Sequence, residues 1–173
     1  MTECIILMED GGEMRFKLYP DKAPITVASF AQCANEGFFD GLAFCRIVEG
    51  FVIQGGSPDN DIMTDSDFHI VGEFAENGHD TGLKHIRGTI SMARDDQPDT
   101  AGTQFFICHQ AAPRLDGKYA AFGDMISGFD VLDNLAALPT SGKETWNKPF
   151  KMPVMASVRV ASDSLLPPVQ RLP

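Results

Sequence analysis

The chain has 173 residues, of which 43% are hydrophobic and 22% charged, a length and composition typical of one folded domain and not of a disordered polymer. Its 24 acidic and 14 basic side chains give a net charge of −10, which argues against nucleic acid as a partner because phosphates attract lysine and arginine. No stretch approaches the roughly 20 apolar residues of a membrane helix, so we also expect no membrane partner.

The N-terminal sequence MTECIILMEDGG lacks the basic stretch and apolar core that are typical of a secretory signal. The four cysteines lie far apart and form no CxxC pair. We therefore expect a cytoplasmic protein whose thiols are reduced.

The chain begins with the pattern of a β-hairpin. Apolar residues alternate with polar ones over 14–19, as in a strand with one buried face. A second apolar segment precedes them at 3–8, and Asp10, Gly11 and Gly12 between the two segments favour a tight turn. We predict strands at 3–8 and 14–19.

Two segments have the periodicity of helices. Pro24 suits the first turn of a helix, apolar residues follow at intervals of three and four, and Gly37 can provide a left-handed cap. This pattern predicts a helix over 24–35. A second helix is predicted over 129–138, where the apolar residues share one face and Pro139 follows the end.

The remaining periodic segments are short and predict further strands, at 42–48, 51–54, 88–93, 104–109, 119–122 and 154–160. Many short strands with two brief helices favour a closed or nearly closed β-structure. Residues 57–84 form a long polar connection, of a kind that often covers surface or carries function. The last residues are rich in proline and have no period, so we expect a domain at 1–161 followed by a loosely held tail at 162–173.

Three segments of the chain carry distinctive motifs: FCRIVEGFVIQGG at 44–56, GTISMAR at 88–94 followed by GTQFFI at 102–107, and LDGKYAAFG at 115–123. Together they resemble the cyclophilin family of peptidyl-prolyl cis-trans isomerases. The sequences SMAR and YAAFG are similar to the bacterial branch of that family. The resemblance implies a mainly β fold, in which a closed eight-stranded antiparallel barrel is capped by two α-helices. It also implies a site on the outer face, with side chains filling the interior.

The activity that the resemblance implies is the isomerisation of Xaa-Pro bonds in peptides and in unfolded or flexible protein segments, which assists protein folding. Amide resonance opposes this rotation with a barrier of roughly 18–20 kcal/mol. A hydrogen bond that strengthens as the bond twists, together with apolar surroundings, lowers the barrier without a covalent step. We therefore expect no cofactor and no metal. We expect a monomer whose partners are proline-containing peptides and protein clients.

Arg46 matches the catalytic arginine of the family and is predicted to donate a hydrogen bond to the prolyl carbonyl oxygen or toward the prolyl nitrogen. The predicted catalytic set is completed by Gln54, which orients Arg46, and by Phe106, which lines the proline pocket. The other matched positions are predicted to bind substrate, and they are Phe51, Val52, Ala93, Arg94, Gln104, Leu115 and Tyr119.

The chain departs from the family pattern around this site. Val52 replaces a common methionine, Cys45 a common histidine, and Arg94 the asparagine of eukaryotic relatives. Tyr119 replaces a pocket histidine of those relatives. Arg114 stands where strong cyclosporin binding usually depends on a tryptophan, so we predict that cyclosporin binds only weakly.

Two alternatives stay open on the sequence alone. The first is a cyclophilin-like module that holds proline-containing segments without turnover, and the presence of Arg46, Gln54, Gln104 and Phe106 argues against it. The second is a β-barrel carrier for a small apolar ligand. A carrier predicts an open interior, whereas 13 phenylalanines predict a filled one.

Overall fold

The computed structural model describes all 173 residues. Its strands are β1 (Thr2–Met8), β2 (Glu13–Leu18), β3 (Phe44–Val48), β4 (Val52–Gly55), β5 (Thr89–Met92), β6 (Phe105–Cys108), β7 (Ala121–Ser127) and β8 (Met155–Ser162). Its α-helices are α1 (Pro24–Asn35) and α2 (Phe129–Ala136), and three short 3-10 helices lie at Ala75–Asn77, Pro113–Leu115 and Lys143–Thr145. None of the helices has both the length and the apolar character needed to span a membrane.

The local chemistry explains the first elements of the chain. Gly11 adopts a φ of 94° at the tip of the β1–β2 hairpin, a conformation that glycine reaches without steric cost. Pro24 begins α1, where its missing N–H costs nothing. The buried carboxylate of Glu73 accepts hydrogen bonds from the backbone N–H and the hydroxyl of Thr26, at 2.6 and 2.7 Å. This contact satisfies the first turn of α1 and anchors the long polar connection to it.

All eight strands belong to one antiparallel sheet, in the order β3-β4-β6-β5-β7-β2-β1-β8. The sheet curls into a half-barrel, which confirms the mainly β prediction, the eight antiparallel strands and the two helices. Its two edge strands, β3 and β8, form no ladder with each other. A single isolated bridge, Ala43 with Val154, joins the two edges.

The concave side of the sheet holds the main core, a cluster of 32 buried residues. Phe30 of α1 lies at its centre, with ring centroids 5.0 to 5.4 Å from those of Phe39, Phe105 and Phe122. Aromatic rings at these separations attract each other as well as excluding water. The packing fits a filled barrel and gives no support to the carrier alternative.

A second, smaller core lies on the convex side of the sheet. It contains Val52, Phe106, Cys108, Ala112 and Leu115. Successive side chains of a strand point to opposite faces, so neighbouring residues of β4 and β6 contribute to different cores. This second core forms the base of the candidate site.

Strand β7 differs from its predicted position at 119–122, because it begins at Ala121 and continues to Ser127. The added part contains Gly123 and Asp124, which are poor strand formers. Tertiary pairing overrides that preference, since Gly123 lies opposite Leu18 of β2 and Ile90 of β5. A Cβ atom at Gly123 would approach the Leu18 side chain to 2.6 Å, so the close strands themselves require glycine here.

Strand β8 ends at Ser162, one residue beyond the predicted end of the domain. The end of the tail contacts the domain, because the Leu172 N–H donates to the His69 carbonyl at 2.8 Å and the Arg171 guanidinium lies 3.8 Å from the Phe68 ring centroid. Leu165, in contrast, is 98% exposed. The division of the chain into a domain and a loosely held tail stays a prediction.

Candidate active site

A pocket of about 320 Å³ lies on the convex side of the sheet, over the smaller core. Nine of the ten predicted site residues line it, and Gln104 lies directly behind. The complete lining is Arg46, Phe51, Val52, Gln54, Ile62, Ala93, Arg94, Phe106, Leu115, Tyr119 and Trp146.

The strand register places the polar and apolar parts of the pocket in one row. Arg46 of β3 pairs with Gln54 of β4, and Gln54 pairs with Phe106 of β6. Phe106 in turn pairs with Ser91 of β5. Paired residues of an antiparallel sheet project from the same face, so these four side chains follow one another across four strands.

Arg46 presents an unused hydrogen-bond donor. One terminal nitrogen, Nη1, donates to Oε1 of Gln54 at 3.1 Å, whereas the buried Nε has no partner. Burial lowers the pKa of Arg46 from its ordinary value, but arginine remains charged at neutral pH. A buried donor without an acceptor costs free energy, so Arg46 is held in this position at some cost to stability.

Gln54 is held by a chain of amide groups. Its Nε2 donates to Oε1 of Gln104 at 2.9 Å. The Nε2 of Gln104 donates to the carbonyl oxygens of Ile62 and Thr64, both at 3.1 Å. Gln104 therefore acts through Gln54, fixing the orientation in which the Gln54 oxygen accepts from Arg46.

The apolar floor is made by Val52, Phe106 and Leu115, which are 2%, 5% and 9% exposed. Tyr119 meets Phe106 edge to face, with ring centroids 5.8 Å apart and planes at 83°. The floor is apolar, and Arg46 and Gln54 line the same pocket beside it.

A buried imidazole supports the floor from behind. The ring of His85 stacks on that of Phe106 at 5.9 Å, and its two nitrogens lie 3.0 Å from Oδ1 of Asp116 and 2.9 Å from Oγ of Ser91. Burial lowers the pKa of His85, so the ring is neutral at pH 7, donates from Nδ1 to Asp116 and accepts from Ser91. The order Ser-His-Asp resembles a nucleophilic triad, but Ser91 is fully buried and cannot meet a substrate.

Two arginines stack on the rim of the pocket. The guanidinium of Arg94 lies between the rings of Phe74 and Tyr119, 4.7 and 4.8 Å from their centroids. Its Nε and Nη2 both donate to the carbonyl of Lys118, at 2.9 and 2.7 Å. These donors are therefore used within the protein, and Arg94 holds Tyr119 in place.

Arg114, the second stacked arginine, lies 4.3 Å from the ring centroid of Phe51. Cys45, next to Arg46 in sequence, does not line the pocket. Its thiol is 4% exposed, and burial raises its pKa to about 11, so it is a packed thiol rather than a reactive one.

The sequence motifs did not identify three residues of the site: Ile62 and Trp146 in its lining and His85 behind it. Trp146 reaches the pocket because the Asn147 carbonyl accepts a hydrogen bond from the N–H of Ile47, at 3.0 Å. Local patterns carry no signal for such a long-range contact. No group of three or more histidine, cysteine, aspartate or glutamate side chains is arranged to hold a metal ion.

Comparison with known proteins agrees with this geometry. The family model for cyclophilin type peptidyl-prolyl cis-trans isomerases matches residues 4–160. Among curated relatives, peptidyl-prolyl cis-trans isomerase B of Bacillus subtilis is 43% identical over 136 residues, which cover 79% of this chain and 92% of the relative. A peptidyl-prolyl cis-trans isomerase of Acinetobacter baylyi is 36% identical over 157 residues, which cover 87% and 81%.

Solved structures give the same result. A cyclophilin type peptidyl-prolyl cis-trans isomerase of Cryptosporidium parvum, crystallised in the presence of the dipeptide Ala-Pro, superposes with a TM-score of 0.82 at 28% identity. The superposition covers 93% of this chain and 99% of that one.

Proposed function

Because the chain belongs to the cyclophilin-type peptidyl-prolyl cis-trans isomerase family and catalyses the isomerisation of Xaa-Pro bonds, we propose that it does so non-covalently, with Arg46 acting beside an apolar proline pocket. The observation that carries this mechanism is the position of the Arg46 guanidinium, which lines the pocket beside the apolar floor and is oriented by the hydrogen bond from Nη1 to Gln54. The crystals of the Cryptosporidium parvum relative with Ala-Pro support proline-containing peptides, in free form or within flexible protein segments, as the ligands of this pocket.

In this mechanism the proline ring sits on Val52, Phe106 and Leu115. The residues before proline follow the backbone at Ala93, at the β5 end of the row. Arg46, at the β3 end, donates to the carbonyl oxygen of the proline itself and, as the bond twists, toward the prolyl nitrogen. That nitrogen gains basicity as amide resonance is lost, so the hydrogen bond strengthens in the transition state and lowers the barrier.

Both Arg46 and the apolar floor of the pocket lower the barrier to rotation in this mechanism. A hydrogen bond from a charged donor contributes about 1.5–3 kcal/mol, which corresponds to roughly 10- to 150-fold in rate. The remaining acceleration comes from the apolar floor, because the twisted amide has a smaller dipole than the planar one and loses less on leaving water. Gln54 and Gln104 keep the guanidinium oriented throughout.

The test is an isomerisation assay by NMR exchange on an Ala-Pro peptide. We expect Arg46→Ala to lower kcat/KM by roughly 10- to 150-fold, since the charged donor is removed. Arg46→Lys should fall between the two, because lysine keeps the charge but lacks the planar set of donors. Arg15→Ala is the matched control, since Arg15 pairs with Glu3 and Glu13 away from the pocket. A wild-type rate in Arg46→Ala would exclude the mechanism.

We also propose that the half-barrel closes into a barrel in solution. Support comes from the edges of the sheet, where the Phe44 N–H donates to the Pro153 carbonyl at 3.0 Å and the Met155 N–H donates to the Leu42 carbonyl at 2.8 Å. These bonds join the beginning of β3 to the beginning of β8.

Weak cyclosporin binding is a further proposal, and it depends on Arg114. The guanidinium of Arg114 covers Phe51 with a charged group where the resemblance to the family places an indole. We expect Arg114→Trp to lower the Kd for cyclosporin by about tenfold or more, a change equal to about 1.4 kcal/mol. Isothermal titration of both proteins measures it. Nanomolar binding by the wild-type protein, or an unchanged Kd in the variant, would contradict the proposal.

A further inference from the structure

Trp146 is the only tryptophan of the chain, and it lies on the rim of the catalytic pocket. Trp146 is 54% exposed to solvent. The other aromatic rings of the rim are occupied, since Tyr119 faces Arg94 and Phe51 faces Arg114. Trp146 stacks on no ring or cation of the protein. Tryptophan is largely buried in most proteins, so a free indole face at the mouth of a pocket indicates a contact surface.

The loop around Trp146 holds the backbone of this residue in a defined conformation. Trp146 and Asn147 have φ values of 59° and 54°, in the left-handed region that bulky side chains seldom adopt. Their N–H groups donate to the carbonyls of Lys143 and Gly142, at 3.1 and 2.9 Å. The Asn147 carbonyl accepts from Ile47, the residue after Arg46. Uncommon backbone conformations persist where surrounding contacts enforce them, and they cluster at functional sites.

The order of the strands determines which part of a substrate meets this indole. Across the pocket the order is β3, β4, β6 and β5, with Arg46 at one end and Ala93 just beyond the other. The proposed mechanism places the residues before proline at Ala93 and the carbonyl of proline at Arg46. The next residue of the substrate follows that carbonyl, so it leaves the pocket past Arg46 and toward Trp146.

We propose that Trp146 is a specificity-determining residue that selects an aromatic side chain on the residue following proline. The inference rests on the proposed function, because the direction of the substrate comes from it. An indole offers a large apolar face and a π-system, and a second aromatic ring gains from both. Hydrogen bonds within the loop already fix the backbone of Trp146, so little ordering of the loop is needed when the substrate ring stacks on the indole.

The experiment compares three peptides that differ only after proline, Ala-Ala-Pro-Phe, Ala-Ala-Pro-Leu and Ala-Ala-Pro-Ala, with kcat/KM measured by NMR exchange. We expect the wild-type protein to prefer the Phe peptide over the Ala peptide by about 3- to 10-fold, the range of aromatic pair interactions. Trp146→Ala should reduce this ratio to near one, and Trp146→Phe should retain most of it. Each ratio is measured on one protein preparation, so it does not depend on the fraction that is folded.

Phe150→Ala is the matched control. Phe150 is an aromatic residue of the same loop, is 75% exposed and does not line the pocket, so its replacement should leave the ratio as in the wild type. Binding has an independent readout, because the fluorescence of a single tryptophan reports on residue 146 alone. Titration with the Phe peptide should shift the emission of Trp146 until binding saturates, and the Ala peptide should produce a smaller shift.

Several results would overturn the inference. They are a ratio near one in the wild-type protein, an unchanged ratio in Trp146→Ala, or a Leu peptide that performs as well as the Phe peptide. Failure of the mechanism has a different signature, since Arg46→Ala would then retain the wild-type rate on all three peptides. If Arg46→Ala is slow on every peptide and the ratio does not depend on Trp146, only the present inference fails.

Discussion

The two faces of β4 and β6 carry two hydrophobic cores that differ in their surroundings. On the concave face, Ile53, Phe105 and Ile107 are fully buried members of the 32-residue hydrophobic core. On the convex face, Val52 and Phe106 are almost as deeply buried, yet they adjoin a charged guanidinium, a chain of amides and a neutral imidazole. Because side chains alternate along β4 and β6, one face of these strands packs the main core and the other face forms the base of the candidate site. Phe105 and Phe106 are neighbours in sequence with different tasks.

The largest expected effect on stability or activity comes from replacing either of these two phenylalanines with alanine. Phe105 is fully buried and contacts the rings of Phe30, Phe39 and Phe44, so Phe105→Ala should lower the free energy of unfolding by about 3–5 kcal/mol. Phe106→Ala should lower the free energy of unfolding less than Phe105→Ala does, because the cavity it leaves opens onto the pocket. It should lower kcat/KM far more than Phe105→Ala does, because Phe106 forms the pocket floor. Urea denaturation and NMR exchange measure the two quantities. Equal losses of stability would contradict the division between the faces.

A smaller effect is expected on the pH dependence of stability, through the imidazole of His85 behind Phe106. Burial holds the pKa of His85 below its ordinary value of 6.5. Below pH 6.5 the unfolded chain therefore binds a proton at this residue more readily than the folded chain does. The free energy of unfolding should fall as the pH falls below 6.5, by at most about 1.4 kcal/mol per pH unit for one proton, and the contribution is fully present above that pH.

The measurement is urea denaturation between about pH 5 and 7, the range in which histidine titrates. His85→Gln should remove this part of the pH dependence. His79→Gln, which replaces an exposed histidine, is the matched control. A wild-type slope in His85→Gln would show that the buried ring does not control acid stability.

The smallest effect is expected at the rim. Arg94→Met keeps most of the side-chain stem but removes the guanidinium from between Phe74 and Tyr119. Cation–π contacts at exposed sites contribute about 0.5–1 kcal/mol each, so KM should rise about two- to fivefold as Tyr119 loosens, with a smaller change in kcat. Lys118→Met is the control, because Arg94 bonds to the Lys118 backbone and not to its side chain. A fall in kcat at constant KM would instead indicate a role in the chemical step.

Local patterns in the sequence predicted much of this molecule. Both helices and the positions of most strands followed from periodicity and from turn residues, because those signals depend only on neighbours along the chain. The same alternation placed Phe105 and Phe106 on opposite faces of β6. The motifs that carry the family resemblance identified nine residues of the pocket lining.

Features that depend on distant contacts were missed. The extent of β7 depends on strands that approach closely at Gly123, and the place of Trp146 depends on a backbone bond to β3. Each of these outcomes depends on a partner far away in sequence, about which a linear pattern carries no information.

The single bridge between Ala43 and Val154 has a consequence for motion. Opening this junction breaks only a few hydrogen bonds and leaves all seven strand ladders of the sheet intact, so it requires far less free energy than unfolding. The loop between α2 and β8, which carries Trp146, adjoins β3 beside that junction. Amide hydrogens there are therefore the ones that exchange with solvent through brief local opening. Local opening is therefore expected at the side of the half-barrel where the proposed mechanism places the exit of the substrate chain.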